Sequence, residues 1–225
     1  MKKVFFLVNN LNENSFSPYI GKHLKKFDVS FDDSLPKNLE KYDLVVLWNY
    51  RKIIQGISNK KNIIIFHGSN LPGGKGWAPI YYSIFNGLKY YTVSGILPAD
   101  EVDSGDIVIK AKFQIKDNFT AEFIRECDNE VSVLLVRKIL DKFKGKKITG
   151  KKQVGKGSYN KRRKPEDNEV DINSKVSEII NHIRGCEKQH PAFFYYKDQK
   201  YNISIFPDNK PKFPEDLEII FSDND

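Results

Sequence analysis

A histidine standing directly behind a run of aliphatic residues is the first place in this sequence where chemistry could be done. The segment reads Ile63-Ile64-Ile65-Phe66-His67-Gly68-Ser69-Asn70-Leu71-Pro72-Gly73-Gly74-Lys75-Gly76-Trp77-Ala78-Pro79. The aliphatic part has strand length and the Gly/Pro-rich part reads as a loop. In an open parallel sheet the loops beyond the carboxyl ends of the strands carry the working groups. An imidazole placed there can give or take a proton near neutral pH; it can equally do no more than satisfy the end of its strand. The turn Asp100-Glu101-Val102-Asp103-Ser104-Gly105-Asp106 follows, with Asp103 36 positions after His67. A carboxylate brought beside a strand-end histidine would orient the ring and stabilise its protonated form. The alternative is a solvated acidic turn.

Other chemistries find less support. Cys127 and Cys186 are the only cysteines, far apart and outside any CxxC or Cys/His cluster, so they read as buried free thiols. The four histidines show neither HExxH nor paired spacing, so no metal centre is expected. The net charge of +8 is concentrated in one place: from Lys142 to Lys164 there are eleven Lys or Arg and no acid. Such a tract is either solvated chain or a binding surface for an anion.

The elements that must position these groups alternate between strand-like and helix-like runs. Lys3 to Val8, Phe27 to Phe31, Leu44 to Trp48, Ile63 to Phe66, Tyr90 to Leu97 and Ile107 to Ile115 read as strands, the third and fourth continuously apolar as in a sheet covered on both faces. Pro18 to Phe27, Ala78 to Asn86 (ended by Gly87) and Ala121 to Lys142 read as helices. The alternation predicts an open, mostly parallel α/β sheet with helices on both faces. Beyond it come a helix from Ser174 to Arg184 and a hairpin of Ala192 to Tyr196 and Tyr201 to Phe206 joined at Asp198-Gln199. The expected division is a catalytic domain over 1–165, including a basic loop over 143–164, and a small extension over 166–225. The apolar start Val4 to Val8 is too short for a secretory leader and no run is long enough to span a membrane, so a cytoplasmic protein is expected.

Taken together, these segments resemble the folate-dependent formyltransferases, which have a Rossmann-like sheet. The resemblance rests on His67, Ser69, Leu71 and Pro72, then Gly76 and Pro79, then Val102-Asp103-Ser104-Gly105-Asp106. It continues through Gly157-Ser158-Tyr159, Arg162-Arg163-Lys164-Pro165-Glu166-Asp167, Ile183-Arg184-Gly185-Cys186 and Pro191-Ala192-Phe193-Phe194, so it spans roughly residues 40–205. It implies that His67 and Asp103 are catalytic and that N10-formyltetrahydrofolate is the co-substrate. The family's third partner, an asparagine two residues before the histidine, is replaced by Ile65. Asn49, at the end of the neighbouring strand, is the expected substitute, with Asn70 the alternative and Asn62 a remote third. The folate pocket maps onto Tyr50, Arg51 and Ile53, and onto Pro98, Asp100 and Glu101.

The acceptor amine is implied less directly. Only about 60 residues follow Pro165, short for the RNA-binding domain of a methionyl-tRNA formyltransferase, and the basic tract lacks interleaved aromatics. The length and the Phe193-Phe194 ending resemble the sugar N-formyltransferases. The implied acceptor is then a nucleotide-linked amino sugar, with dTDP-4-amino-4,6-dideoxyglucose in surface polysaccharide synthesis as the specific expectation. Lys75, Trp77, Arg162 and Arg163 would bind it, and the aromatic hairpin would make a homodimer. A tRNA-directed enzyme, or a non-catalytic folate or nucleotide-sugar binding protein, remains the alternative.

Overall fold

The continuously apolar runs fold as strands because only a sheet covered on both faces can bury every side chain of a short extended segment. A computed structural model of the protein describes residues 1–12, 14–52, 54–58 and 62–222. Its main sheet contains β1 (Lys3–Leu7), β2 (Asp28–Asp32), β3 (Leu44–Leu47), β4 (Ile63–His67), β6 (Tyr90–Ile96), β7 (Ile107–Gln114) and β11 (Glu218–Phe221). The spatial order is β11-β7-β6-β4-β3-β1-β2. The first four strands in sequence are parallel neighbours, then β6 runs antiparallel to β4, β7 to β6 and β11 to β7. The sheet is therefore mixed, with β7 pointing the same way as the parallel four.

The three helices α1 (Ser17–His23), α2 (Pro79–Phe85) and α3 (Ala121–Phe143) pack with one another and on one face of the sheet. There they bury Val4, Phe6, Val46, Ile64 and Val93 against Ile80, Ile124, Val131 and Leu135. Thr120 caps α3, its hydroxyl accepting from the Phe123 amide. The architecture is the expected α/β, Rossmann-like one. On the opposite face, among the described residues, Phe5, Leu7, Val45, Leu47 and Ile63 are covered by Leu35, Leu39, Tyr42, Tyr50, Ile54 and Ile57, from loops and the 3-10 turn Leu39–Lys41. Pro36, Asn38, Asp43, Asn49 and Gly56 interrupt any helical periodicity in those loops.

The C-terminal third is stitched to the sheet at several points. Lys151 exchanges two backbone hydrogen bonds with Ile107 (2.8 and 2.9 Å). The two-residue strands β5 (Lys75–Gly76) and β8 (Tyr159–Asn160) pair in parallel. Helix α4 (Val176–Gly185) packs on α2, with Gly185 close against the Tyr81 ring. The hairpin of β9 (Ala192–Tyr196) and β10 (Gln199–Ile203) turns at Lys197-Asp198, one residue earlier than expected, both residues being left-handed (φ 47° and 63°) as a two-residue hairpin turn requires. Strand β11, absent from the expected pattern, returns the chain to the main sheet.

Candidate active site

Strand β4 ends at His67, and the loop that follows is held down residue by residue. In register, His67 lies beside Ser94 of β6, and Ser94 beside Lys110 of β7. The Ser94 hydroxyl donates to the Ser69 carbonyl (2.6 Å), and the Ser69 hydroxyl donates to the Gly73 carbonyl (2.8 Å). The Lys110 ammonium donates to Asn70 Oδ1 (2.6 Å) and to the Leu71 carbonyl (2.7 Å). Burial lowers the pKa of that amine, consistent with its place beneath the loop. From the far side, Ser158 Oγ accepts from the Gly74 amide (2.8 Å), and the Ser158 and Asn160 carbonyls accept from the Lys75 and Trp77 amides (3.0 and 3.2 Å).

These contacts fix both sides of the imidazole. His67 Nε2 lies 2.9 Å from the Gly74 carbonyl oxygen, and Nδ1 lies 3.4 Å from Asp103 Oδ2. Both side chains are nearly sealed, 9% and 10% exposed. Asp103 adopts a left-handed backbone (φ 53°), its Oδ2 accepts from the Gly76 amide (2.8 Å), and Gln153 Nε2 donates to the Asp103 and Gly105 carbonyls (2.7 and 2.9 Å). A carbonyl and a carboxylate can only accept, so a neutral ring can fill one of the two contacts and an imidazolium can fill both. The arrangement suits a group that donates hydrogen bonds to a developing negative charge.

Behind the loop, Tyr91 and Asp128 form a buried pair, the phenol donating to Asp128 Oδ1 (3.0 Å). Burial raises the Asp128 carboxyl pKa, with Arg125 opposing it, and raises the Tyr91 phenol well above its ordinary value. On the same helix Cys127 is pushed up to about 12, first by burial and then by Glu126, Glu130 and Asp128, so its thiol is inert. Beside the Asp103 turn, a cavity of about 390 Å³ is bounded by Pro72, Lys75, Ser104, Asp106, Lys152 and Gln153.

Of the residues singled out from the sequence, His67, Asp103 and Lys75 thus meet in one place. Asn49 forms an exposed left-handed turn after β3 (φ 48°), its carbonyl accepting from Asn9 Nδ2 (2.8 Å). Tyr50 packs half-buried on the second-face cluster, Arg51 is exposed, and Ile53 lies outside the described residues. Pro98 is buried, while Asp100 and Glu101 are exposed. Arg162 stacks on exposed Trp77 (4.7 Å to the ring centre). Arg163 is turned inward instead: it stacks on Tyr81 (3.1 Å) and donates to the Asp167 carbonyl and Asn168 Oδ1, so its guanidinium serves the fold rather than a free anion site. Gln153, Ser158 and Asn160 contact the candidate site and were not singled out from the sequence, although Ser158 lies in the Gly157-Ser158-Tyr159 segment of the resemblance; Gln153 and Asn160 had only their place in the basic tract.

The sequence profile described as Formyl transferase matches residues 15–136, more than half of the chain, and includes both His67 and Asp103. The chain belongs to the formyl transferase family. Among its relatives in that family, a methionyl-tRNA formyltransferase from Pelagibacter ubique is 31% identical over 78% of this chain and 61% of its own. The chain spans 47% of the length of another such relative, so it matches about half to three-fifths of these two formyltransferases. Two solved formyltransferase structures share the fold almost end to end. A methionyl-tRNA formyltransferase from Clostridium thermocellum has a TM-score of 0.70 at 21% identity, covering 98% of this chain and 99% of its own. A 4-N formyltransferase from Francisella tularensis has 0.71 at 20%, covering 93% and 99%.

Proposed function

We propose that the protein transfers a formyl group from N10-formyltetrahydrofolate to the amine of a nucleotide-linked amino sugar. The observation that carries this reading is the nearly buried His67–Asp103 pair at the end of β4, whose sequence neighbour Ser104 and partner Gln153 line a cavity edged by Lys75 and Lys152. The amine attacks the formyl carbon, a C–N bond forms, and the carbonyl electron pair moves onto oxygen. His67 donates to that oxyanion, with Asp103 supporting the cation. Collapse breaks the bond to folate N10, which keeps the electron pair and takes up the proton lost by the amine. Tyr50, Pro98, Asp100 and Glu101 would hold the folate. Lys75, Trp77 and Arg162 would hold the acceptor, whose diphosphate suits the lysines and the outward arginine.

The sugar reading is supported by the end-to-end likeness to a 4-N formyltransferase. A tRNA acceptor is the second reading, favoured by the names of the curated relatives and by a tRNA-named structure of the same extent. In the first reading the reaction belongs to surface polysaccharide synthesis in the cytoplasm, with dTDP-4-amino-4,6-dideoxyglucose as the specific acceptor. Exposed Tyr195, Tyr196 and Tyr201 would then lie in a homodimer contact. The test is to incubate the protein and N10-formyltetrahydrofolate separately with a panel of amino-sugar nucleotides and with methionyl-tRNA. A formylated sugar nucleotide supports the first reading and formyl-methionyl-tRNA the second. Transfer to neither refutes both.

A further inference from the structure

Three adjacent strands present a row of polar side chains to the loop that follows His67. His67 of β4 stands in register with Ser94 of β6, and Ser94 with Lys110 of β7, and residues directly opposite each other share one face of a sheet. The Ser94 hydroxyl donates to the Ser69 carbonyl (2.6 Å), and Lys110 Nζ donates to Asn70 Oδ1 (2.6 Å) and to the Leu71 carbonyl (2.7 Å). Consecutive loop residues are thus tied down in order across the sheet. The ties continue through the turn. The Asn70 carbonyl accepts from the Gly73 amide (3.1 Å), the Gly73 carbonyl accepts from the Ser69 hydroxyl (2.8 Å), and the next carbonyl, that of Gly74, stands 2.9 Å from His67 Nε2. The imidazole therefore rests against a turn whose first two residues Lys110 holds.

An ammonium is a costly group to use for this purpose. Lys110 is half-buried, and both of its partners are neutral oxygens. From β6 it faces Ser94 and from β11 Ile220. The other charged groups of that row are His67, two strands away, and Lys112, which is paired with Glu218 of β11 (2.9 Å). Among the described residues no carboxylate offsets the Lys110 charge, and burial lowers its pKa from the ordinary lysine value. An apolar side chain would fill the same space without that desolvation. What it could not supply is a charged donor aimed at two loop oxygens, and titratable groups shifted by burial cluster at functional sites.

We infer that Lys110 is a positioning residue for the transfer step. Its ammonium, bound to Asn70 and Leu71, shapes the 69–74 turn that sets the His67 ring beside Asp103. It acts through the loop and touches no reacting atom. The inference rests on the formyl-transfer reading. The sign of its pH dependence follows from the burial. A lowered pKa means that the folded protein gives up the Lys110 proton more readily than an ordinary lysine, so the charged clamp is present at neutral pH and lost as pH rises. Turnover should therefore decline on the alkaline side, beginning below the ordinary lysine range.

The experiment measures kcat and both KM values from about pH 7 to about pH 10 for the wild type, Lys110→Met, Lys110→Gln and Lys110→Arg, using whichever acceptor the wild type formylates. A displacement of about 1 Å at a reacting group can cost about 10²-fold in rate. Lys110→Met is expected to lose about 10–10²-fold in kcat across the whole range, with each KM within about threefold of wild type. Lys110→Gln keeps a donor without a titratable charge, and Lys110→Arg stays charged throughout, so both should retain more activity than the Met variant and lose the alkaline decline. A merely structural lysine would lower the melting temperature and leave the shape of the pH profile alone. A Lys110→Met enzyme within about threefold of wild-type kcat overturns the inference while the function stands. So does a wild-type alkaline decline that persists unshifted in the Gln and Arg variants, which also settles the matter if the Met variant fails to fold. A wild type with no transferase activity overturns the function and this inference together.

Discussion

Gly68, next to His67, permits a stringent test of how the loop is supported. Its backbone dihedral is not in the left-handed region, so an alanine costs only contacts. Those contacts are severe. A Cβ there would stand 2.0 Å from the Tyr91 hydroxyl, 3.0 Å from its ring carbon and 3.2 Å from Pro79 Cγ, against ordinary contact from 3.4 Å. The hydroxyl would have to retreat about 1.4 Å, the difference between 3.4 and 2.0 Å. Tyr91 is fully buried and its bond to Asp128 is 3.0 Å, so the retreat breaks that bond. Overpacking costs about 1–3 kcal/mol, and a buried carboxyl stripped of its partner about 1–3 more. Gly68→Ala should therefore destabilise by roughly 2–6 kcal/mol, a shift of roughly 10 °C in Tm at the middle of that range for a chain of this size. In the Tyr91→Phe background the hydroxyl is gone and only the ring contact remains, so the same substitution should cost roughly 1–2 kcal/mol. Urea unfolding of the wild type, both single variants and the double variant closes the cycle. If the two costs agree within about 0.5 kcal/mol, the sites are independent and the packing argument is wrong.

His67→Ala should lower kcat by at least about 10²-fold with a normal melting temperature, and near-normal turnover would remove His67 from the chemistry. Asp103→Asn should also act on kcat, since it leaves the shape and removes the charge beside the ring; a change in KM alone would make Asp103 a binding group. Arg162→Ala should raise the acceptor's KM without altering that of the folate, and in the wild type the acceptor's KM should rise with salt; a KM indifferent to salt counts against phosphate binding there. Asp128 gives a pH prediction. Burial raises its folded-state pKa above the unfolded value, so the folded protein holds the proton more tightly and this group's contribution to stability is lost as pH rises through the raised value. Asp128→Asn removes that loss, so its Tm relative to wild type should improve from about pH 4 to about pH 8; a difference that does not change with pH would show the carboxyl to be ionised throughout.

Much of the frame was legible because its signals are local. An aliphatic run followed by Gly and Pro can only be a strand and a loop, which put His67 at a strand end, and the 36-residue interval to Asp103 needed only the turn after β6 to close it. What escaped depends on partners distant in sequence. Glu218–Phe221 is four residues with alternating exposure, unremarkable until β7 offers it an edge. Strands β5 and β8 have two residues each and exist only as a pair. The cover of the second face was less legible, since among the described residues it comes from apolar loop side chains that have no common period. Asn160 was invisible as a site residue because 86 positions separate it from the oxygen it approaches.

The pairing of β5 with β8 also bears on what can be exchanged between relatives. The family match ends at residue 136, yet Ser158 and Asn160 buttress the loop that follows His67, and Gln153 the turn that carries Asp103. A chimera joined at the edge of the recognised family segment would pair one protein's loop with another's buttress. Grafts that carry residues 68–77 and 150–164 together keep that interface intact, and those that move either alone inherit a loop cut to fit something else.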